Sequence, residues 1–383
     1  VDHLRQSASL ILEGDVLKVI NLTGHKLITG YPEGRRMWLN IEWYDADGLP
    51  VREDGAYGPL VDDADNPVMI ENPAGGPAVQ VESILDLQDP NTRIYEAHYA
   101  ITSEWAATLL DIGVAADLVL SYDRFNGEEG ITLGELASFP EGYHHDTFHF
   151  VLNNSISSDN RIPPYGMRYD EAHKRNALPV PADQYGNPGA GGVYEYWDQL
   201  KLGDIKPAEA VSARINLLYQ GTSWEYIQFL EEANEGEDPL EGGDEFLGSE
   251  GENMLNTWVN AEVPLAMEVA GDRKMVPPVL MASIDWNASH LTVGGVLSGL
   301  IGSGLTLQNN GADDLLLTEN GSFTFNTALA DGSDYAVTVA VQPSGPGQEC
   351  TVTDGSGTLS GSNVTNVSVV CDYSDVIFKD GFE

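Results

Sequence analysis

Met37-Trp-Leu-Asn-Ile-Glu-Trp-Tyr44 decides the reading of the longer part of this chain. Met37, Leu39, Ile41 and Trp43 fall on one side of an extended backbone, and Trp38, Asn40, Glu42 and Tyr44 on the other. That is the period of two expected of a strand with one apolar face. Asp45-Ala-Asp-Gly48 closes it as a turn, built from residues that bond their own backbone or accept positive φ. A second strand is expected over 16–22, after a short helix over 2–13. Between the two strands runs Asn21-Leu-Thr-Gly-His-Lys-Leu-Ile-Thr-Gly-Tyr-Pro-Glu-Gly-Arg-Arg36, crowded with Gly, Pro, His and Arg. Loops with this much defined chemistry are usually built to hold something.

Working outward, strands are expected over 93–101, 116–123, 147–153, 194–201 and 211–219. Helices are expected over 103–112, 169–176, 223–232 and 252–259, two of them with Thr or Ser positioned as N-caps. The fold class that follows is mainly β: an antiparallel β-sandwich with helical insertions over residues 1–275. The stretch from Glu231 to Glu252 holds ten acidic residues and several glycines, and reads as a solvated loop. Residues 276–289 read as a linker stiffened by Pro277-Pro278. From 290 to 373 charges thin out and short alternating segments recur. Their turns, Asn-Asn-Gly311, Glu-Asn-Gly321 and Asp-Gly332, predict a C-terminal immunoglobulin-like β-sandwich. Residues 374–383 form a tail.

Composition narrows the function. Sixty acidic residues oppose eighteen basic ones, a formal net charge of −42. Nucleic-acid binding needs a basic footprint and is excluded on that ground. No apolar run has the length of roughly 18 residues that a transmembrane helix needs. The charge suits a secreted protein kept soluble by self-repulsion. The chain begins at Val1 without an initiator Met or signal peptide, as expected of a mature, processed or truncated form. Its two cysteines, Cys350 and Cys371, each flank a strand-like run, so a disulfide within the C-terminal unit is expected, and with it an oxidising, extracellular or cell-surface location. A reduced buried pair is the competing account.

Several residues are candidates for chemistry. His144, His145 and His149 lie close together in Gly142-Tyr-His-His-Asp-Thr-Phe-His-Phe150. If 147–153 is a strand, His145 and His149 share a face, and His98 or His25 could complete a zinc or copper site with them. Against this stands an exposed pair at a strand start, with His149 hydrogen-bonded in the core. Asp45 and Asp47, and Asp62, Asp63 and Asp65, are candidate calcium ligands, although turn chemistry alone accounts for both clusters. His25 could ligate a haem iron supplied by another segment or subunit, or else brace its own turn. Arg35 and Arg36 could contact haem propionates, or pair with local carboxylates. No C-x-x-C-H occurs, so the chain itself attaches no c-type haem covalently. No Walker, Rossmann, G-x-S-x-G or H-E-x-x-H signature occurs either.

Three stretches resemble one family. They are Thr23-Gly-His-Lys with Thr29-Gly-Tyr-Pro-Glu-Gly-Arg-Arg36, the Pro-, Gly- and Tyr-rich segment 148–196, and Leu217-Leu-Tyr-Gln-Gly-Thr-Ser-Trp-Glu-Tyr-Ile-Gln-Phe-Leu230. Together they look like the non-haem C-terminal β domain of bacterial multihaem c-type cytochromes, over residues 1–270. The remainder is similar to a small Ig-like domain of bacterial secreted and surface proteins, and the tail resembles one on secreted proteins of Gram-negative bacteria. The resemblance implies a non-catalytic protein of extracellular electron transfer, packing on haem-bearing segments or chains. Two alternatives stand beside it: a structural or adhesive, self-associating filament or surface-layer subunit, and a metal-dependent enzyme using His144–His149.

Overall fold

The computed structural model describes residues 2–13, 15–27, 32–234, 249–260, 277–288, 290–360 and 362–373. Most of the expected acidic loop, the tail and part of the expected linker lie outside the described residues. The chain divides into two units, Val1–Trp286 and Asn287–Glu383. Both are mainly β, the first a set of antiparallel sheets with helical insertions and the second an Ig-like sandwich.

In the first unit the central strand is Arg36–Tyr44, which pairs antiparallel with Ser212–Gln220 along its whole length and with Pro50–Asp54 on its other side. Its apolar face is fully buried at Met37, Leu39, Ile41 and Trp43. The opposite face differs from expectation: Arg36, Trp38 and Asn40 are buried as well. Trp38 gives its indole N–H to the Gly55 carbonyl at 2.9 Å and stacks on Tyr57. Asn40 donates to Glu53 at 2.7 Å, so the polar atoms under this cover are satisfied. Val279–Asn287, read in the sequence as linker, is a strand at the edge of the same sheet. It is held by Trp286 packed edge-on against Trp43 and by Ser283 bonded to Asn216.

Two smaller sheets flank this one. Ala8–Glu13, Val16–Asn21 and Trp197–Lys201 form the first. The helix expected over 2–13 is thus helical only at Asp2–Arg5, because Ala8–Glu13 pairs along its whole length with Val16–Asn21. Ala97–Thr102 runs between His144–Asp146 and Ser155–Asp159 in the second. Helix Ser103–Asp111 starts where expected, Thr102 accepting a hydrogen bond from the Trp105 amide. A helix that patterning passed over, Leu133–Leu136, carries a complete capping box from Thr132 and Glu135. Both helices pack on Ile101 and Leu120. Helix Trp224–Glu232, capped by Ser223, lies against helix Glu250–Asn260 through Trp224, Ile227, Leu255 and Trp258. Two expected strands do not form. Residues 116–123 make only isolated bridges at Val119 and Tyr122, and 148–152 turn instead of extending.

The second unit sandwiches two four-stranded sheets around Leu297, Leu305, Leu307, Phe323, Val337 and Val369. Every short segment anticipated there is a strand. The Asn310-Gly311 turn takes positive φ at both residues, as a tight hairpin demands. One pairing is parallel: Val293–Ser298 with Val364–Tyr373. Gly295 permits it, since a Cβ there would stand 1.7 Å from the Val367 carbonyl oxygen. Cys350 and Cys371 face each other across antiparallel strands and form the expected disulfide.

Candidate functional site

The loop that follows strand Val16–Asn21 is fixed by its backbone and by one buried charge. Asn21 donates to the carbonyls of His25 at 2.7 Å and Ile162 at 2.9 Å, and the Leu27 amide donates to Ile162 at 2.8 Å. Lys26 sends its ammonium 2.7 Å from Asp159 Oδ2, and Arg161 grips the same carboxylate through Nε at 2.8 Å and a second nitrogen at 2.7 Å. All three side chains are buried. Burial would raise the Asp159 pKa, but the Arg161 hydrogen bonds and the two cations hold it below the ordinary aspartate value.

This anchoring leaves His25 exposed, its imidazole engaged in no hydrogen bond among the described residues. The backbone, rather than the ring, braces the turn. The ring lies on an open concavity of about 630 Å³ together with Lys26, Arg161, Tyr165, Met167, Arg168 and Arg175. Lys26 and Arg161 already share Asp159, and Arg175 pairs with Glu171 at 2.7 Å. Arg168 is exposed and makes no ion pair among the described residues. A concentration of cations around one histidine stands out on a chain whose net charge is −42.

The two arginines of the loop part company. Arg36 is 2% exposed and spends its whole guanidinium inside: Nε to Gln220 at 2.9 Å, one terminal nitrogen to Ser83 at 2.9 Å, the other 3.0 Å from Glu225. It therefore has no edge for a propionate, and pairs locally instead. Arg35 is half-buried beside it.

The expected metal set is not brought together. His144 is exposed, His145 sets Nε2 2.9 Å from Ser121 Oγ, and His149 sets Nε2 2.9 Å from the Val119 carbonyl while packing edge-on against Phe229. Burial lowers the pKa of both His145 and His149. His98 faces carboxylates from both ring nitrogens, Glu96 at 2.9 Å and Asp146 at 3.8 Å. Burial alone would lower its pKa, but those carboxylates, Glu96 foremost, raise it to about 9. Both ring nitrogens are thus turned to carboxylates, and the raised pKa favours the imidazolium at neutral pH. Among the described residues no group of three or more His, Cys, Asp or Glu side chains converges on one point.

The aspartate clusters act as turn caps. Asp45 Oδ1 accepts from the amides of Asp47 and Leu49, both at 2.9 Å. Asp62 Oδ1 accepts from the amides of Ala64 and Asn66, and the Asn66 side chain adds the largest lowering of its pKa. Asp63 and Asp65 point to solvent, Asp65 at φ 61°.

Sequence reading passed over Glu33, Glu96, Ser121, Asp159 and Arg161. The signal for Asp159 and Arg161 lay in Asp-Asn-Arg itself, a charge pair amid Pro and aliphatic residues. Nothing local marks Ser121 or Glu33.

No protein-family model and no characterised protein matches the chain in sequence. Among solved structures, the crystal structure of a penta-heme cytochrome c552 from Thermochromatium tepidum aligns with it at 13% identity and a TM-score of 0.26. The alignment covers 75% of this chain and 40% of that one. A likeness that loose fixes neither fold nor function. No helix among the described residues is long and apolar enough to cross a membrane.

Proposed function

We propose that this chain is a secreted or cell-surface, non-catalytic β protein of extracellular electron transfer, which packs on haem-bearing segments or chains. The observation that carries the reading is the exposed His25 imidazole on a cation-edged concavity of about 630 Å³. That volume lies within the roughly 300–1,000 Å³ of sites that take cofactor-sized groups. A haem presents an apolar ring, anionic propionates and an iron that accepts imidazole. Tyr165 and Met167 would take the ring edge, Arg168 a propionate, and His25 the iron. The three-stretch resemblance in sequence supports the same reading.

The test is an absorption spectrum of the protein purified with its partners from its source. A haem-bearing chain present in fixed ratio supports the proposal, and pure protein with no associated haem overturns it. A structural or adhesive role draws on a different observation, the Ig-like unit with edge strands Gly321–Thr324 and Gln348–Thr353. The metal-enzyme reading draws nothing from the geometry, since His144, His145 and His149 turn to separate surroundings.

A further inference from the structure

Glu33 sits apart from the His25 concavity, in a second cavity of about 180 Å³. It is 4% exposed, and its Oε1 has no hydrogen-bond partner among the described residues. The cavity's outer wall is formed by His98 and Asp146, with side chains 37% and 51% exposed. The other carboxylates around it face cations, although Glu225 Oε2 likewise makes no hydrogen bond among the described residues. Glu225 lies 3.0 Å from Arg36 and 3.1 Å from Arg124, while Glu96 and Asp146 flank the His98 imidazolium. The rest of the wall is largely aromatic: Tyr99, Tyr122, Phe148 and Phe229. Phe229 packs edge-to-face on Tyr122 at 6.0 Å and on Phe148 at 5.6 Å.

A buried carboxyl with one oxygen unpartnered among the described residues, beside a wall of aromatic rings, calls for a guest of positive charge and apolar skin. An anion would meet the lining carboxylates Glu33, Asp146 and Glu225, and a neutral apolar guest would leave Glu33 Oε1 unpaired. A bare metal ion would lack converging ligands, since no such group exists among the described residues. The volume falls below the roughly 300 Å³ at which drug-sized sites begin, so the guest has few heavy atoms. The His98 charge at the rim opposes a cation, but Glu96 and Asp146 offset it. We propose that this cavity binds a small organic ammonium ion, its nitrogen against Glu33 and its alkyl groups against Tyr122, Phe148 and Phe229.

Calorimetric titration of the full chain at pH 8, above the Glu33 pKa of about 7, tests this. The probes are methylammonium and trimethylammonium chloride, with tert-butanol as the neutral shape control and calcium chloride as the metal control. Saturable binding of an ammonium probe is expected, weakened about tenfold or more in Glu33→Gln and in Phe148→Leu. Binding that tert-butanol or calcium matches, or that Glu33→Gln leaves unchanged while its circular dichroism is native, overturns the proposal. So does the absence of any saturable heat with both ammonium probes.

Discussion

Lys26 and Asp159 stand 133 residues apart in sequence and 2.7 Å apart in space. Their contact, shared with Arg161, ties the glycine-rich loop after the second strand to the long irregular segment that begins at Asn160. Segments so poor in regular structure persist in compact domains when hydrogen bonds and ions pin them. Here the pin is a buried carboxylate between two cations, and it fixes the backbone that presents His25.

Removing the shared carboxylate should be costly. Asp159→Asn leaves Lys26 and Arg161 buried without a counter-charge, and we predict a loss of about 3–5 kcal/mol at pH 7 by urea unfolding. Because the Asp159 pKa is lowered on folding, its contribution is present above the ordinary value of 3.8 and fades as pH falls through the folded value. Wild type and variant should therefore converge in acid. Equal stability at pH 7 would contradict the account.

Glu33 makes the opposite prediction. Burial raises its pKa from 4.5 to about 7, the His98 charge working against that rise. The folded protein holds this proton more tightly than the unfolded chain, so the contribution to stability is full below pH 4.5 and lost as pH rises through 7. Glu33→Gln should match wild type at pH 4 and exceed it at pH 8 by up to about 3 kcal/mol. A variant less stable than wild type at pH 8 would show that Glu33 has a partner.

His98 should titrate late. Its pKa of about 9 predicts an imidazolium signal by NMR at pH 7.5, and a fall toward 6.5 in Glu96→Gln. Its stabilising contribution is complete below pH 6.5 and disappears as pH rises through 9. With over a third of the side chain in solvent, that contribution is under about 1 kcal/mol. A His98 signal that titrates near 6.5 in the wild type would refute the ion-pair geometry.

The disulfide closes a loop with a sequence separation of 21. Loop-closure entropy at that length predicts that Cys350→Ser with Cys371→Ser costs about 3 kcal/mol. Thermal scanning should show the loss in the Ig-like unit, with the near-ultraviolet signal of Trp38 and Trp43 in the other unit unaffected.

The extent to which sequence foretold these features follows from what is local. The Ig-like unit was legible because alternation and Asn-Gly turns are written within each hairpin, and helix Ser103–Asp111 because its Thr102 cap adjoins it. The fate of His145 and His149 was not legible. It depends on Ser121 and Val119, which reach them only through tertiary packing, and the turn at 148–152 removes the common face that a strand would have given. Val279–Asn287 passed for a linker because Pro277-Pro278 precedes it. Its partner strand lies far upstream, and Trp286 finds Trp43 only in the fold. Glu33 and Arg36 read as loop charges because burial of a charge is set by what covers it, not by its neighbours in sequence.

His25 is the iron ligand of the proposed haem contact, and titration with a c-type haem peptide whose sixth iron position is open reads that contact directly. The full chain should convert the ferric peptide to a low-spin spectrum with a shifted Soret band, and His25→Ala should abolish the change while remaining folded. An unshifted spectrum with wild type, or the same shift with His25→Ala, would contradict it.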